Sequence, residues 1–137
     1  MKVVIDTNIL ISSLSSKSKY HQIIAALKNN RFELIITNDV LTEYEEKLSQ
    51  KYGQPVVTAF IELLLNLNNV SFHNVYFNWD LIKADKSDNK FIDCYISGNA
   101  DCLVTEDNHF NILKNTEFPY VKIIGIKEFE NILQNSD

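Results

Sequence analysis

Acidic and amide side chains follow three short apolar runs of this chain, residues 3–5, 34–36 and 102–104. The polar ends are Asp6-Thr7-Asn8, Thr37-Asn38-Asp39 and Thr105-Glu106-Asp107. If the runs are parallel strands, their carboxyl ends meet at one edge of a sheet, where such folds bind ligands. Clustered carboxylates repel each other, so some stay protonated or a divalent cation neutralises them. Oxygen ligands suit Mg²⁺ or Mn²⁺, and such sites activate water for in-line attack on phosphodiesters.

A fourth acidic residue, Asp88, lies at the start of a predicted helix. Apolar residues at 91, 92, 95 and 96 have helical spacing, and Asp88 lies within about 10° of the centre of that stripe. An inward-facing carboxylate is costly unless a helix N-terminus or a cation compensates its charge. Glu43 borders the apolar face of another predicted helix, where periodicity does not distinguish it from Glu45 and Glu46.

Each acidic residue also has an ordinary structural interpretation. Asp6 would be a turn residue at a strand end, Asp88 a helix cap, Glu43 a solvated helix residue, and Asp107 a loop or cap residue. Taken together, four acidic residues on four separate elements at one end of the predicted sheet favour a shared site.

The elements that must position these residues alternate along the chain. We predict strands at 3–5, 34–36, 70–77, 102–104 and 121–124, with the third at an edge of the sheet. We predict helices at 20–27, 40–48, 56–67, 88–98 and 127–133, with a short helical turn at 110–113. Asn38 is the expected cap of the second helix, Pro55 opens the third, and Gly98 closes the fourth. This alternation of strands and helices predicts a mostly parallel sheet of about five strands with helices on both faces.

Composition bounds the class of protein. The chain has 137 residues, 45% of them hydrophobic and 23% charged, which predicts one globular domain spanning 1–137. The net charge of −5 excludes an overall basic surface for nucleic acid, although a local basic patch stays open. No apolar run reaches the roughly 18 residues of a membrane span, and no signal peptide is expected. Cys94 and Cys102 do not make a disulfide scaffold, so we expect a soluble protein of the reducing cytoplasm.

Four motifs resemble those of the PIN-domain family of metal-dependent nucleases. They are Val4-Ile5-Asp6-Thr7-Asn8, Thr37-Asn38-Asp39-Val40-Leu41-Thr42-Glu43-Tyr44, Asp85-Lys86-Ser87-Asp88-Asn89-Lys90-Phe91 followed by Gly98-Asn99-Ala100-Asp101, and Leu103-Val104-Thr105-Glu106-Asp107. They occur in the family's order and extend over essentially the whole chain. The last two most resemble the VapC-like toxins of toxin–antitoxin systems.

The resemblance implies a compact three-layer α/β/α sandwich that cleaves RNA with Mg²⁺ or Mn²⁺. It gives four catalytic acidic residues, Asp6, Glu43, Asp88 and Asp107, with Asp6 and Asp88 as the direct metal ligands. Asn8 and Thr105 are then orienting groups behind the metal, and Asp93 and Asp85 are candidate additional acids. The resemblance further implies a homodimer and an antitoxin protein as partner. We expect a dimer or partner interface on the broad apolar stripe of the 56–67 helix, which includes Phe60 and Leu64, and on its neighbour at 40–48, with burial of this stripe inside the monomer as the alternative.

Other functions remain open from the sequence. A PIN-type nuclease of RNA processing would have the same motifs, and a catalytically silent PIN-like module that binds RNA or protein would have the same fold. A phosphate-handling receiver-like protein needs a second acidic residue beside Asp6, which the sequence does not have. His109 after Asp107, and Phe77 with Trp79, are candidate substrate contacts, with a surface loop as the alternative for each.

Overall fold

The structure is a computed structural model that describes residues 1–82 and 86–135. The strands are β1 (Lys2–Ile5), β2 (Glu33–Ile36), β3 (Val70–Phe72), β4 (Cys102–Val104) and β5 (Ile123–Ile124). The α-helices are α1 (Thr7–Leu14), α2 (His21–Lys28), α3 (Asn38–Tyr52), α4 (Gln54–Asn66), α5 (Asn89–Ser97) and α6 (Ile126–Asn135). Two 3-10 segments cover Lys86–Asp88 and Asn108–Asn115.

The five strands form one parallel sheet in the order β3-β2-β1-β4-β5. Successive residues of a strand point to opposite faces, and Val3, Val4 and Ile5 are all fully buried. Both faces of the sheet are therefore covered, as parallel sheets require. The predicted α/β class, the three-layer arrangement and the parallel five-stranded sheet are confirmed, with β3 at an edge.

Several predicted boundaries differ from the structure, including the start of the last strand, which is Ile123 and not residue 121. The third strand ends at Phe72, not at residue 77, because Tyr76 and Phe77 are exposed side chains of an irregular segment rather than strand residues. The cap of α3 is Thr37, not Asn38: Thr37 has an extended backbone, and its hydroxyl accepts the backbone N–H of Val40. The short helical turn predicted at 110–113 is part of the Asn108–Asn115 segment.

Helix α4 does not present its whole apolar stripe to a partner. Val57, Phe60 and Leu64 are buried, and the ring of Phe60 packs edge-on against Tyr44 of α3. For Phe60 and Leu64 the alternative of burial within the monomer therefore applies, and these two side chains are not available to a partner. Leu65 on the outer side of α4 is 70% exposed.

Helix α5 packs closely on the sheet that it crosses. A Cβ atom at Gly98, the residue that ends α5, would lie 2.2 Å from a side-chain carbon of Ile35 on β2. Glycine is therefore required at this crossing, which fixes the direction of α5 and with it the position of Asp88 at the other end. Within residues 1–82 and 86–135, every helix is too short or too polar to span a bilayer.

Candidate active site

The site lies at the switch point of the sheet, where the strand order reverses between β1 and β4. The chain proceeds from β1 to β2 on one side of β1 and later places β4 on the other side. Asp6 directly follows β1, and Thr105 directly follows β4, so the two residues border the crevice between these strands. A crevice of this type at the carboxyl ends of parallel strands is where α/β folds bind ligands.

Asp6 supports a helix with its backbone and the site with its side chain. Its carbonyl oxygen accepts the backbone N–H groups of Ile9 and Leu10 in the first turn of α1. Its carboxylate makes no capping hydrogen bond and accepts the Thr105 hydroxyl at 2.6 Å. The turn-residue interpretation therefore explains the backbone of Asp6 and leaves its carboxylate in the crevice.

The charge of Asp6 is unfavourable where it lies. The residue is only 8% exposed, and burial raises its pKa from 3.8 to about 6, against the lowering effect of the Thr105 hydroxyl. The charges of Asp88, Glu43 and Asp107 make smaller contributions to the same shift of the pKa. The four acidic residues predicted from the sequence thus act on one electrostatic environment.

Glu43 enters the site from α3 and is held from two sides. The buried hydroxyl of Thr7 donates to one of its carboxylate oxygens, and the ammonium group of Lys90 lies 3.0 Å from the other. The next residue, Tyr44, is fully buried, and its hydroxyl donates to the carbonyl of Ile5 at the end of β1. Helix α3 is therefore fixed directly beside Asp6, and this selects Glu43 over Glu45 and Glu46.

Asp88 and Asp107 meet at the imidazole of His109. Atom Nδ1 of His109 lies 3.1 Å from Asp88 Oδ2 and 3.4 Å from Asp107 Oδ1. Asp88 makes no side-chain cap for α5, so the cap interpretation does not describe it. Asp107 does cap the Asn108–Asn115 segment by accepting the backbone N–H of His109 at 2.9 Å.

Thr105 connects the two parts of the site. Its hydroxyl donates to Asp6 and accepts the backbone N–H of Asp107 at 3.0 Å, so both acidic residues are oriented through one oxygen atom. Asn8 is exposed on α1 and lines a surface depression with Lys47 and Lys51. The structure thus gives Thr105 the orienting geometry expected of it, and places Asn8 in a different surface region.

The two candidate additional acids have different outcomes. Asp93 is buried in α5, where its carboxylate accepts the backbone N–H of Trp79 at 3.0 Å. Its pKa is raised mainly by burial, and its acidic neighbours are Asp39 and Asp80 rather than the residues around Asp6. Asp85 lies outside the described residues.

The sequence did not predict the contacts that three residues make in this site. His109 appeared there only as a candidate substrate contact or loop residue, and Lys90 had no signal because its partner Glu43 is distant in sequence. Tyr44 lies on the apolar face of the helix predicted at 40–48, but its hydrogen bond to the carbonyl of Ile5 depends on how α3 packs on β1.

The donor set fits a divalent cation. Burial disfavours the charged form of Asp6, the carboxylates of Asp88, Glu43 and Asp107 add to this effect, and a cation would compensate the charge. The ligand atoms of Asp88, Asp107 and His109 all lie within 4.8 Å of one another. Oxygen ligands with one imidazole nitrogen are donors that divalent metals accept in proteins.

Two solved structures share this fold. A chain of the VapBC2 complex from Rickettsia felis, crystallised with a DNA fragment from its promoter, matches with a TM-score of 0.62 and 16% identity over 91% of this chain and 98% of that one. The RRP44 PIN domain of T. brucei matches with a TM-score of 0.51 and 11% identity over 94% of this chain and 78% of that one. At these identities the likeness shows the fold alone. Among curated proteins, none matches the sequence significantly.

A family model supplies the sequence evidence. The model described as PIN domain matches residues 2–109, which include Asp6, Glu43, Asp88 and Asp107. With the parallel sheet and the acidic crevice between β1 and β4, this match shows that the chain belongs to the PIN-domain family.

Proposed function

We propose that this protein is a metal-dependent endoribonuclease that hydrolyses RNA phosphodiester bonds and acts in the cytoplasm as the toxin of a type II toxin–antitoxin pair. The observation that carries the proposal is the buried carboxylate of Asp6, which faces the crevice between β1 and β4 at 2.6 Å from the Thr105 hydroxyl and whose pKa is raised mainly by burial and further by three other acidic residues. Such an arrangement is unfavourable for folding and useful for holding a cation.

Three of the acidic residues have a role in the proposed reaction. Asp6 and Asp88 would hold Mg²⁺ or Mn²⁺, and Thr105 keeps the Asp6 carboxylate turned into the crevice. When bound, the cation would supply neutralising charge at the scissile phosphate and lower the pKa of water. The Glu43 carboxylate, which lies 3.0 Å from the Lys90 ammonium group, would accept a hydrogen bond from the attacking water and align it opposite the leaving 3′-oxygen. No side chain acts as a covalent nucleophile.

The toxin role is favoured over two alternatives. The VapBC2 match covers nearly the whole of both chains, whereas this chain covers 78% of the RRP44 PIN domain. A silent binding module would have no use for four mutually repelling acids. Expression of the chain in a bacterial host separates the roles: a toxin arrests growth, and co-expression of the small reading frame beside its gene restores growth.

Cleavage of single-stranded RNA tests the chemistry. Purified protein is expected to cleave with Mg²⁺ or Mn²⁺ and to stop when a chelator is in excess. Asp6→Asn should be inactive, and Asp93→Asn is the matched control because it removes the charge of an equally buried aspartate away from the crevice. Cleavage that continues in excess chelator, or that survives Asp6→Asn, contradicts the proposal.

We further propose that the homodimer and the antitoxin use the outer side of α3 and α4, where Leu65 and Tyr52 are exposed. Light scattering at about 100 μM is expected to report a dimer that Leu65→Glu dissociates without a change in melting temperature. Leu64→Glu is the matched control, because Leu64 is buried and its replacement unfolds the monomer instead. A monomeric wild type that retains no partner from its native host contradicts this interface.

A further inference from the structure

His109 is positioned by the core of the protein although its ring is 42% exposed. The next residue, Phe110, is fully buried, and its ring packs edge-on against Phe91 in α5, with 6.4 Å between the centroids. Asp88 immediately precedes α5, so the two phenylalanines join the segment that contains His109 to the helix that begins beside Asp88. The approach of the imidazole to Asp88 therefore follows from core packing.

His109 lies at hydrogen-bond distance from Asp88 and at ion-pair distance from Asp107, and such distances also fit neighbouring ligands of one cation. Ligand atoms at right angles, each about 2.1 Å from a metal, lie about 3.0 Å apart. Nδ1 of His109 lies 3.1 Å from Asp88 Oδ2 and 3.4 Å from Asp107 Oδ1. Asp107 Oδ1 is itself fixed, since it accepts the His109 backbone N–H.

We propose that His109 contributes Nδ1 as a nitrogen ligand to the cation at Asp88 and Asp107, so that the site selects Mn²⁺ over Mg²⁺. This inference rests on the proposed function, because it keeps Asp88 as a metal ligand and adds Asp107 and His109 to it. The chemical reason is that Mg²⁺ is bound almost entirely through oxygen donors and holds its water tightly, whereas Mn²⁺ accepts an imidazole nitrogen more readily. An all-carboxylate crevice suits both ions.

The test measures bound Mn²⁺ on the full chain stripped of metal, without reference to RNA cleavage. Electron paramagnetic resonance gives the Mn²⁺ affinity, competition with Mg²⁺ gives the selectivity, and electron spin-echo envelope modulation detects a ¹⁴N nucleus bound to the ion. We expect nitrogen modulation in the wild type. The signal should disappear in His109→Ala and in His109→Asp, and His109→Asp should lower the selectivity for Mn²⁺ over Mg²⁺ about tenfold or more.

His73→Gln is the matched control, because it removes another of the three histidines and lies outside the cluster of Asp88, Asp107 and His109. It should leave both the modulation and the selectivity unchanged. The wild-type spectrum decides the proposal even if a variant folds poorly. Bound Mn²⁺ without nitrogen modulation, or modulation that persists in His109→Ala, overturns this inference and leaves the proposed nuclease intact. Absence of Mn²⁺ binding to the wild type overturns the inference and the proposed metal site together.

Discussion

Asp6 and Asp93 are two buried aspartates with opposite relations to their surroundings. They are 8% and 7% exposed, and burial is the main cause of the raised pKa of each. Asp93 accepts the backbone N–H of Trp79 and thereby fixes an irregular segment onto α5. Asp6 receives one hydroxyl hydrogen bond and the repulsion of three other carboxylates.

The comparison shows that burial does not by itself identify a functional acid. A carboxylate that satisfies a backbone donor stabilises the fold, whereas one that faces other carboxylates leaves a charge for a ligand to compensate. We therefore interpret Asp93 as a structural residue and Asp6 as a site residue, and the following predictions test that division.

The largest expected difference is in catalysis. Asp6→Asn should lower RNA cleavage about 10³-fold or more, the equivalent of several kcal/mol of metal-dependent transition-state stabilisation. Asp93→Asn should stay within about threefold of the wild type, because its amide oxygen can still accept the Trp79 N–H. Initial rates at saturating Mn²⁺ measure both. Equal losses in the two variants would remove the distinction between the two aspartates.

The second difference is in the pH dependence of stability without metal. The folded state raises the pKa of Asp6 from 3.8 to about 6, so it binds a proton more tightly than the unfolded chain does. Its contribution to the free energy of unfolding is therefore present below pH 4, is lost as pH rises from about 4 to 6, and stays lost above that. The loss is up to about 3 kcal/mol.

Urea unfolding in chelator across pH 4–7 measures this contribution. The stability of Asp6→Asn relative to the wild type should increase as pH rises from 4 to 6, and the variant should be the more stable protein at pH 7. Asp93→Asn should retain the part of the pH dependence that Asp6 causes. A difference between Asp6→Asn and the wild type that stays constant from pH 4 to 6 would contradict the assignment.

The third difference concerns stabilisation by metal. At 100 times its Kd, Mn²⁺ should stabilise the wild type by about 2.7 kcal/mol, because only the folded state assembles the site. Asp88→Asn should melt at the wild-type temperature or higher in chelator and should gain less from Mn²⁺. Asp93→Asn should gain as much as the wild type. Thermal melts with and without Mn²⁺ check this, and a large loss of metal-free stability in Asp88→Asn would instead support a helix-cap role.

The smallest effect belongs to Asp93. Asp93→Ala leaves the backbone N–H of Trp79 without its acceptor and should cost roughly 1–3 kcal/mol of stability. Cleavage by the folded fraction should be unchanged. Asp93→Asn restores the acceptor and should recover most of the loss. If Asp93→Ala lowers metal affinity, the structural interpretation of Asp93 is wrong.

The rule that ligands bind at the carboxyl ends of parallel strands indicated a candidate site from the sequence, but it did not indicate all the contacts among the residues there. Asp6, Asp88 and Asp107 were recognisable because each comes at the end or start of an apolar pattern. Glu43 needed the family resemblance, because what selects it over Glu45 and Glu46 is the packing of α3 against β1 through Tyr44. Interactions of this kind join residues distant in sequence and leave no periodic signal.

Loops were the weakest part of the sequence prediction. His109 faces Asp88 only because Phe110 is anchored against α5, which no local pattern reveals. The aromatic residues after Phe72 have high β propensity, yet Phe77 packs against Trp79 outside the sheet. Propensity alone is overridden there by contacts between side chains.

Trp79 makes the chain's intrinsic fluorescence a local signal. It is the single tryptophan, and its ring contacts Phe77 and Phe118 while its backbone is held by Asp93. Emission at tryptophan wavelengths therefore reports on this aromatic cluster, whereas far-ultraviolet circular dichroism reports on the helices. If the fluorescence transition has its midpoint at a lower denaturant concentration than the circular dichroism transition, the segment held by Asp93 detaches before the sheet and its acidic crevice unfold.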